Sequence, residues 1–354
     1  MAYTVIDKST NFFTPKLYTG NGGTTTVTGI PFEPDMTWIK NRSAAGDHEI
    51  YDKTRGATYR IYPNATAAQD ALAQGLQAWT SDGFRVGNNT AINGNGNGIV
   101  SWNWKMNGAG SSNTNGSINT IKTSANTTSG CSISTFTGTG SNATVGHGLG
   151  VAPKMVMIKS ITAGEDWTCF HEAGGGGKYI ILNSAAGFGT NVGAFNNTAP
   201  TSSVFSVGTF GATNGSSQTL VAYCFADVTG FSQMGSYIGN GSATDGPFNH
   251  TGFSPAFVMV KVVTTTDSWM MYTNKIGATT GSDTGFNIHS RLLEANGAGA
   301  EQSSGTNQGI DMFSNGFKLL EDNGNLNGSG QTYIYMAYAQ NPFVTSTGIP
   351  TTGR

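Results

Sequence analysis

The chain has 354 residues, a formal net charge of -2 and only 11% charged residues, against about 25% in an ordinary globular protein. This balance gives no electrostatic reason to expect binding to nucleic acid or to an anionic membrane. The 37% hydrophobic content argues against a disordered chain, and 51 glycines beside many Thr, Asn and Ser residues favour short strands joined by tight turns.

Membrane and secretory signals are missing from the sequence pattern. No stretch contains the roughly 18 apolar residues that span a bilayer, so we expect no membrane insertion. The N-terminal residues MAYTVIDKSTNFF do not have the charged and apolar regions of a secretory signal, and we expect the chain to be made and folded in a cytoplasm. The cysteines Cys131, Cys169 and Cys224 show no metal-ligand spacing and are predicted to be buried free thiols.

Five sequence blocks occur three times in the same order along the chain. The first block is an aromatic residue followed by glycines at alternate positions, and it reads YTGNG at 18–22, FTGTG at 136–140 and YIGNG at 237–241. The other four blocks occupy residues 34–40, 46–52, 81–87 and 93–105 in the first copy, 153–159, 164–171, 202–208 and 214–226 in the second, and 255–261, 266–273, 314–320 and 327–339 in the third. This recurrence indicates a domain of roughly 90 to 105 residues that is used three times.

The blocks have the alternating pattern of β-strands. In the fifth block Val100, Trp102 and Trp104 alternate with smaller or polar residues, which is typical of a strand with one heavily packed face. The second block, for example FVMVK at 257–261, is apolar on both faces and suits a central strand. These patterns predict an all-β fold of three tandem antiparallel β-sandwich repeats, jelly-roll-like in form, with long hairpin loops.

Turn and helix signals are local additions to this pattern. Asn-Gly pairs at 93–94, 214–215 and 327–328 predict hairpin turns before the last strand of each copy. A helical pattern is scarce, and residues 65–79 and 289–297 are each predicted to give a turn or two of helix.

The block positions divide the chain into repeats, a linker and two tails. The predicted units are an N-terminal tail at 1–16, repeats at 17–106, 131–229 and 230–343, a Gly/Ser/Asn/Thr-rich linker at 107–130 and a C-terminal tail at 344–354. Both tails are candidates for docking on neighbouring subunits. Between the third and fourth blocks each copy has a segment of its own length and content, and the longest, at about 274–313, is predicted to be the most exposed specificity surface.

Residues that carry chemistry are few. None of the histidines falls in a metal-binding motif, and we predict turn or surface positions for all five, which are His48, His147, His171, His250 and His289. The glycine-rich GGGGK at 174–178 is followed by a strand pattern instead of the helix that a phosphate-binding loop requires.

Acidic residues offer two adjacent pairs that a glycosidase would need, Glu165 with Asp166 and Glu321 with Asp322. Neighbouring residues on a strand point to opposite faces, so neither pair has a suitable arrangement. The loop at 321–330 carries Asp and Asn at alternate positions but has no closing acidic residue, and a hairpin turn is favoured over a calcium site. We therefore predict no catalytic residue, no metal site and no cofactor, and we expect a protein that is not an enzyme.

Six stretches, which include KLYTGNG, VGHGLGVAPKMVMIK and NTAPTSSVFSVG, resemble one known family. They lie at 16–22, 32–42, 81–104, 145–159, 197–208 and 221–261. Together they resemble a repeated domain of unknown function in virion and tail proteins of tailed bacteriophages, especially marine and aquatic ones. The resemblance covers about 16–343 and implies a β-sandwich structural or adhesive module, with no catalytic residues to transfer.

The resemblance implies a bacteriophage virion structural protein located in the virion, and we expect a short tail fibre or tail-tip adhesin that binds the host surface. The implied partners are other virion proteins and a host-surface glycan or protein, bound by a homo-oligomer in which a trimer is favoured. The receptor-binding residues are left open. The alternative is a capsid decoration or head-fibre protein, and a third reading is a depolymerase or glycosidase of the host envelope.

Overall fold

The computed structural model describes residues 4–276, 288–303 and 309–342. Over these residues the chain consists mainly of antiparallel strands and the turns between them, which confirms the all-β prediction. The strands fall into three groups that follow one another along the chain, called here the first group (9–104), the second group (122–225) and the third group (232–342).

The first group begins with a 3₁₀ turn at Ser9–Asn11. Its strands are β1 (Phe13–Thr19), β2 (Thr25–Val27), β3 (Met36–Asn41), β4 (Glu49–Asp52), β5 (Tyr59–Arg60), β6 (Asp70–Ala71), β7 (Leu76–Thr80), β8 (Gly83–Val86) and β9 (Gly98–Trp104), with helix α1 at Thr90–Asn93. Strands β1-β9-β3-β4 form a large sheet, β2-β8-β7 form a small sheet, and β5 pairs with β6.

The second group has a larger main sheet. Its strands are β10 (Lys122–Asn126), β11 (Cys131–Thr137), β12 (Ala143–Gly146), β13 (Met155–Ser160), β14 (Thr168–His171), β15 (Lys178–Ile181), β16 (Gly189–Thr190), β17 (Val204–Val207) and β18 (Thr219–Phe225). Its helical turns are a 3₁₀ turn at Glu172–Gly174, α2 (Val192–Phe195) and α3 (Gly211–Asn214). The large sheet has the order β10-β11-β18-β13-β14-β15-β16, and β12 pairs with β17.

The third group again combines a large and a small sheet. Its strands are β19 (Ser232–Ile238), β20 (Phe248–His250), β21 (Phe253–Val262), β22 (Met270–Thr273), β23 (Ile288–His289), β24 (Arg291–Glu294), β25 (Gln302–Ser303), β26 (Ile310–Phe313), β27 (Gly316–Leu319) and β28 (Thr332–Pro342). The large sheet has the order β19-β28-β21-β22-β24-β25, and the small sheet has the order β20-β27-β26-β23.

One strand order occurs in all three large sheets. In each large sheet four neighbouring strands correspond, in order, to the first, fifth, second and third sequence blocks. The corresponding strands are β1-β9-β3-β4, β11-β18-β13-β14 and β19-β28-β21-β22, all antiparallel.

The large sheets of the first and second groups are buried on both faces. In β9, Val100, Trp102 and Trp104 pack into a core to which all three groups contribute, whereas Ile99 packs into the first group's own core. Strand β18 alternates in the same way, with Val221, Tyr223 and Phe225 in the shared core and Leu220, Ala222 and Cys224 in the second group's own core. The period of two therefore separates two buried surfaces, because each large sheet lies between its small sheet and the shared core.

An aromatic cluster stands at the centre of the shared core. The Phe13 ring stacks on Tyr338 with centroids 4.7 Å apart, and the Trp104 and Phe225 centroids lie 6.4 Å apart. These four residues come from all three groups, so the cluster holds the groups together. Phe13 falls within the predicted N-terminal tail, of which residues 13–16 instead belong to β1; the predicted C-terminal tail at 344–354 lies outside the described residues.

The three groups contact one another in a closed ring, through contacts that we call the joints. At each joint a ring nitrogen of one group meets a backbone carbonyl of another: Trp167 Nε1 and Tyr62 O at 2.8 Å, Trp269 Nε1 and Ile181 O at 3.0 Å, and His48 Nε2 and Glu294 O at 3.1 Å. His48 Nδ1 accepts from Trp38 Nε1 at 2.8 Å, so Nε2 carries the proton and donates, as the two tryptophans do. The donors run from the second group to the first, from the third to the second and from the first to the third.

A buried lysine lies at the end of the second-block segment in each group. Lys261 Nζ donates to three backbone carbonyls at 2.7–2.9 Å, those of Ala185, Val262 and Asp267. Lys40 bridges the first and third groups in a similar way, and Lys159 is equally buried. Burial lowers the pKa of each lysine to about 8, although nearby carboxylates partly offset this by raising it. At neutral pH each amine is therefore mostly protonated and has hydrogens to donate.

The repeated glycine motif and the Asn-Gly pair belong to one local structure. In the second group Asn214 is buried, its Oδ1 accepts from Thr139 N at 2.8 Å, and its Nδ2 donates to Gly208 O at 2.8 Å. Gly138 lacks room for a side chain, since a Cβ would lie 2.3 Å from Gly215 O. The other groups place a buried Asn and a tight glycine at Asn93 with Gly20 and at Asn327 with Gly239.

The Asn-Gly pairs do not form the predicted hairpin turns. Helix α1 ends at Asn93 and α3 ends at Asn214, and the strands before and after each helix belong to different sheets. The asparagine side chains instead bind the glycine-containing turn, and these hydrogen bonds outweigh the local preference of Asn-Gly for a hairpin.

Three further segments differ from prediction. Residues 65–79, predicted to contain helix, hold β6 and most of β7, and residues 289–297 hold β24; strand pairing outweighs the weak helix propensity of such short segments. Residues 107–130, predicted as a linker, include β10, which pairs with β11. The polar side chains of that segment bind its own backbone, as Ser124 Oγ accepts from Asn107 N at 2.9 Å.

Candidate functional site

A cavity of about 440 Å³ lies between the first and third groups, and we call it the basic cavity. Among its described lining residues are three lysines and no carboxylate: the lysines are Lys8, Lys16 and Lys275. Apolar side chains form much of the remaining wall, namely Phe13, Pro15, Leu17, Pro31 and Ala256. The basic cavity therefore combines positive charge with an apolar surface.

The cavity lysines lack the partners that most cations of this chain have. Seven Lys or Arg side chains of the described residues pair with a carboxylate, and three buried lysines donate to backbone carbonyls. Within the same residues Lys8, Lys16 and Lys275 have no carboxylate partner. Since the chain has only 18 Lys and Arg residues, three unpaired cations on one cavity concentrate positive charge there.

Both groups supply elements that position the cavity residues. Lys16 lies on β1, which pairs only with β9 in the described part of the chain and is therefore an edge strand. Gly29 has φ +82°, and a Cβ there would lie 3.0 Å from Lys16 Nζ, so the loop after β2 passes close to this ammonium. Lys275 follows β22, and Gln340 on β28 accepts from Asn274 Nδ2. The cavity therefore depends on the contact between the first and third groups.

Most of the histidines are structural groups of the interior. His48, His147 and His171 are buried, which differs from the predicted turn or surface positions. Burial lowers the pKa of His48 to about 3 and that of His171 to about 4, so both are neutral at pH 7. The Nδ1 atoms of His147 and His171 accept from the backbone N–H of Leu149 and Ala173. None of the histidines lines the basic cavity.

The acidic residues singled out in the sequence also hold the fold. Asp166 Oδ1 accepts from Asn183 Nδ2 at 2.8 Å, and the buried Glu321 accepts from Asn323 Nδ2. No group of three or more His, Cys, Asp or Glu side chains in the described ranges is placed to hold a metal ion. The GGGGK segment leads into strand β15, as its sequence pattern predicted.

The segment at 274–313 lies partly outside the described residues, at 277–287 and 304–308. In its described part β24 pairs with β22, Leu293 is buried, and Glu294 O is the acceptor of a joint. This part is therefore packed against the third and first groups, and the prediction that 274–313 is the most exposed specificity surface stays a prediction, since much of the segment lies outside the described residues.

The basic cavity could not be found from the sequence. Lys8 and Lys16 lie near the start of the chain and Lys275 lies far from them in the third group, and each is a single lysine in an ordinary surface context. Only closure of the ring brings the loop after β22 beside β1, so no local signal marks these residues.

These features define an all-β protein in which several antiparallel sheets share one core and enclose a basic cavity. No helix in the described part of the chain is long and apolar enough to cross a membrane. A family model matches residues 8–342, and the chain belongs to that family, which is described as a domain of unknown function, DUF7483. The match runs through all three groups. No curated protein and no solved structure matches the chain.

Proposed function

We propose that the chain is a bacteriophage virion structural protein, acting as a short tail fibre or tail-tip adhesin that binds the host surface. Six of its sequence stretches resemble domains of phage virion and tail proteins. The observation that carries the proposal is the closed ring, in which three joints and a shared aromatic core lock the sheet groups together. Such a scaffold suits a protein that must keep its shape while its surface contacts a partner.

We further propose that the three groups are tandem repeats of one jelly-roll-like β-sandwich unit. The common strand order supports this, as do the buried lysine and the buried Asn that each group has at the same place. The homotrimer expected for a fibre would then assemble from chains that are themselves built from three units. Light scattering on the purified protein would show it as a mass three times the 36.8 kDa of one chain.

Electron microscopy with an antibody against this protein tests the virion location. Purified particles of the virus that encodes the chain should carry label at the tail or its fibres. Label on the head would replace the adhesin with the alternative, a capsid decoration or head-fibre protein. Absence of label from every particle would contradict a virion location of either kind.

Adsorption experiments separate binding from the remaining alternatives. The purified protein should compete with the phage for host cells and slow adsorption in proportion to its concentration. A decoration protein should leave adsorption unchanged and alter only the stability of the particle. A fall in the viscosity of host polysaccharide on adding the pure protein would point to a depolymerase instead.

A further inference from the structure

We infer that the basic cavity binds an acidic sugar, meaning a carboxylated or sulfated saccharide unit. This inference rests on the proposed host-surface function, because it names the class of ligand that such an adhesin would take at this site. The cavity volume of about 440 Å³ falls within the range of about 300–1,000 Å³ that small-molecule sites have.

Charge favours an anion in this cavity. Lys8, Lys16 and Lys275 line it, and no described lining residue carries a carboxylate that would neutralise them. Glu33, two residues beyond the lining residue Pro31, contacts Lys53 at 2.9 Å, so its charge is engaged elsewhere. An incoming carboxylate or sulfate would therefore form charge-assisted hydrogen bonds with these ammonium groups without displacing an internal partner.

The apolar wall favours a sugar acid over a small inorganic anion. Pro15, Leu17 and Pro31 offer aliphatic surface, and one face of a pyranose ring presents C–H groups that such a surface can cover. Thr10 and Gln340 add polar side chains to the lining. Sulfate or phosphate alone would use the lysines but leave the apolar wall and much of the volume without a partner.

Calorimetric titration of the full chain tests the inference with four probes. The probes are an oligogalacturonate, a heparin-derived tetrasaccharide, the neutral maltotetraose and inorganic sulfate. We expect binding of the first or second probe that weakens as salt is added, and no measurable binding of maltotetraose. The two acidic probes distinguish a carboxylated from a sulfated ligand. Equal binding of maltotetraose would overturn the role of the lysines, and equal binding of inorganic sulfate would overturn the role of the apolar wall.

A pair of charge-matched variants locates the site. The double variant Lys16→Gln with Lys275→Gln should bind the acidic probe about tenfold more weakly, which corresponds to about 1.4 kcal/mol. The control Arg85→Gln with Lys105→Gln removes two exposed positive charges outside the cavity lining and should weaken binding less than about twofold. Equal loss in both variants would mean non-specific attraction and would overturn the site.

The two proposals can fail separately. Label on the phage tail without binding of either acidic probe would remove the sugar site and leave the adhesin in place. Binding that depends on the cavity lysines, in a protein that labels no particle, would keep the site and remove the virion function.

Discussion

Replacing Lys261 with methionine should destabilise the protein by about 3 kcal/mol. The change keeps an unbranched side chain of similar length and removes an ammonium that donates to three carbonyls, those of Ala185, Val262 and Asp267. A buried acceptor that loses its only partner costs about 1–3 kcal/mol. Ala185 O keeps the hydrogen bond from Asp267 N at 2.8 Å, so the loss falls on the carbonyls of Val262 and Asp267. Two such losses amount to about 2–6 kcal/mol, and the variant also removes the cost of burying the charge, which lowers the pKa of Lys261.

Urea unfolding followed by tryptophan fluorescence measures this change, because five of the six tryptophans are buried and should respond to unfolding. The matched control is Lys105→Met, at an exposed lysine, which should change the unfolding free energy by less than about 0.5 kcal/mol. If Lys261→Met is as stable as the wild type within that margin, the three hydrogen bonds do not stabilise the fold and the role assigned to the buried lysines is wrong.

Three more results are expected. Because burial lowers the pKa of His48 to about 3, the unfolded chain binds a proton below about pH 6.5 that the folded chain does not. The free energy of unfolding should therefore decrease as the pH is lowered from about 6.5 to about 3, by up to about 1.4 kcal/mol per pH unit. The variant His48→Gln should lack this part of the pH dependence in urea titrations. Asn214→Ala leaves the backbone groups of Thr139 and Gly208 without their side-chain partner and should cost about 3 kcal/mol in the same assay, whereas the exposed Asn95→Ala should cost less than about 0.5 kcal/mol. A thiol reagent should label none of the cysteines in the native protein and all of them in urea, since burial raises the pKa of Cys131 to about 12 and those of the other two still further; rapid labelling of the native protein would contradict this burial.

The sequence predicted which segments form strands, but it could not predict which part of the protein each face of a strand contacts. The alternation of Val100, Trp102 and Trp104 marks a strand correctly, because a period of two follows directly from backbone geometry. It does not tell which surface the large side chains contact. Here they face the shared core, whereas Ile99 of the same strand faces the first group's own core. The residue pattern along one strand indicates which of its side chains are buried. The surface that those side chains contact depends on how distant segments of the chain close the ring.

Local signals failed where a tertiary hydrogen bond was stronger. Asn214 and Gly215 have the sequence of a hairpin turn, yet the Asn side chain binds Thr139 and Gly208 and the backbone forms the end of a helix. His48 has the sequence context of a loop, yet it is buried because it donates across a joint. The sequence does not indicate that the cavity lysines lie together, since they line one cavity only because the first and third groups are in contact.

The chemistry of the joints explains how the ring can persist while part of the sequence varies. At every joint the acceptor is a backbone carbonyl in the segment between the third and fourth sequence blocks, the segment whose length and content differ most among the three groups. Its side chain is a tyrosine, an isoleucine or a glutamate, at Tyr62, Ile181 and Glu294.

A carbonyl is present whatever the side chain is, so these segments can change in length and content without loss of the acceptor. The donor has less freedom, because its side chain must place an N–H within hydrogen-bonding distance of that carbonyl. Trp167, Trp269 and His48 meet that need with two different ring systems. Substitution of a donor by phenylalanine should therefore weaken the ring, whereas substitution of an acceptor residue by alanine should leave its joint hydrogen bond intact.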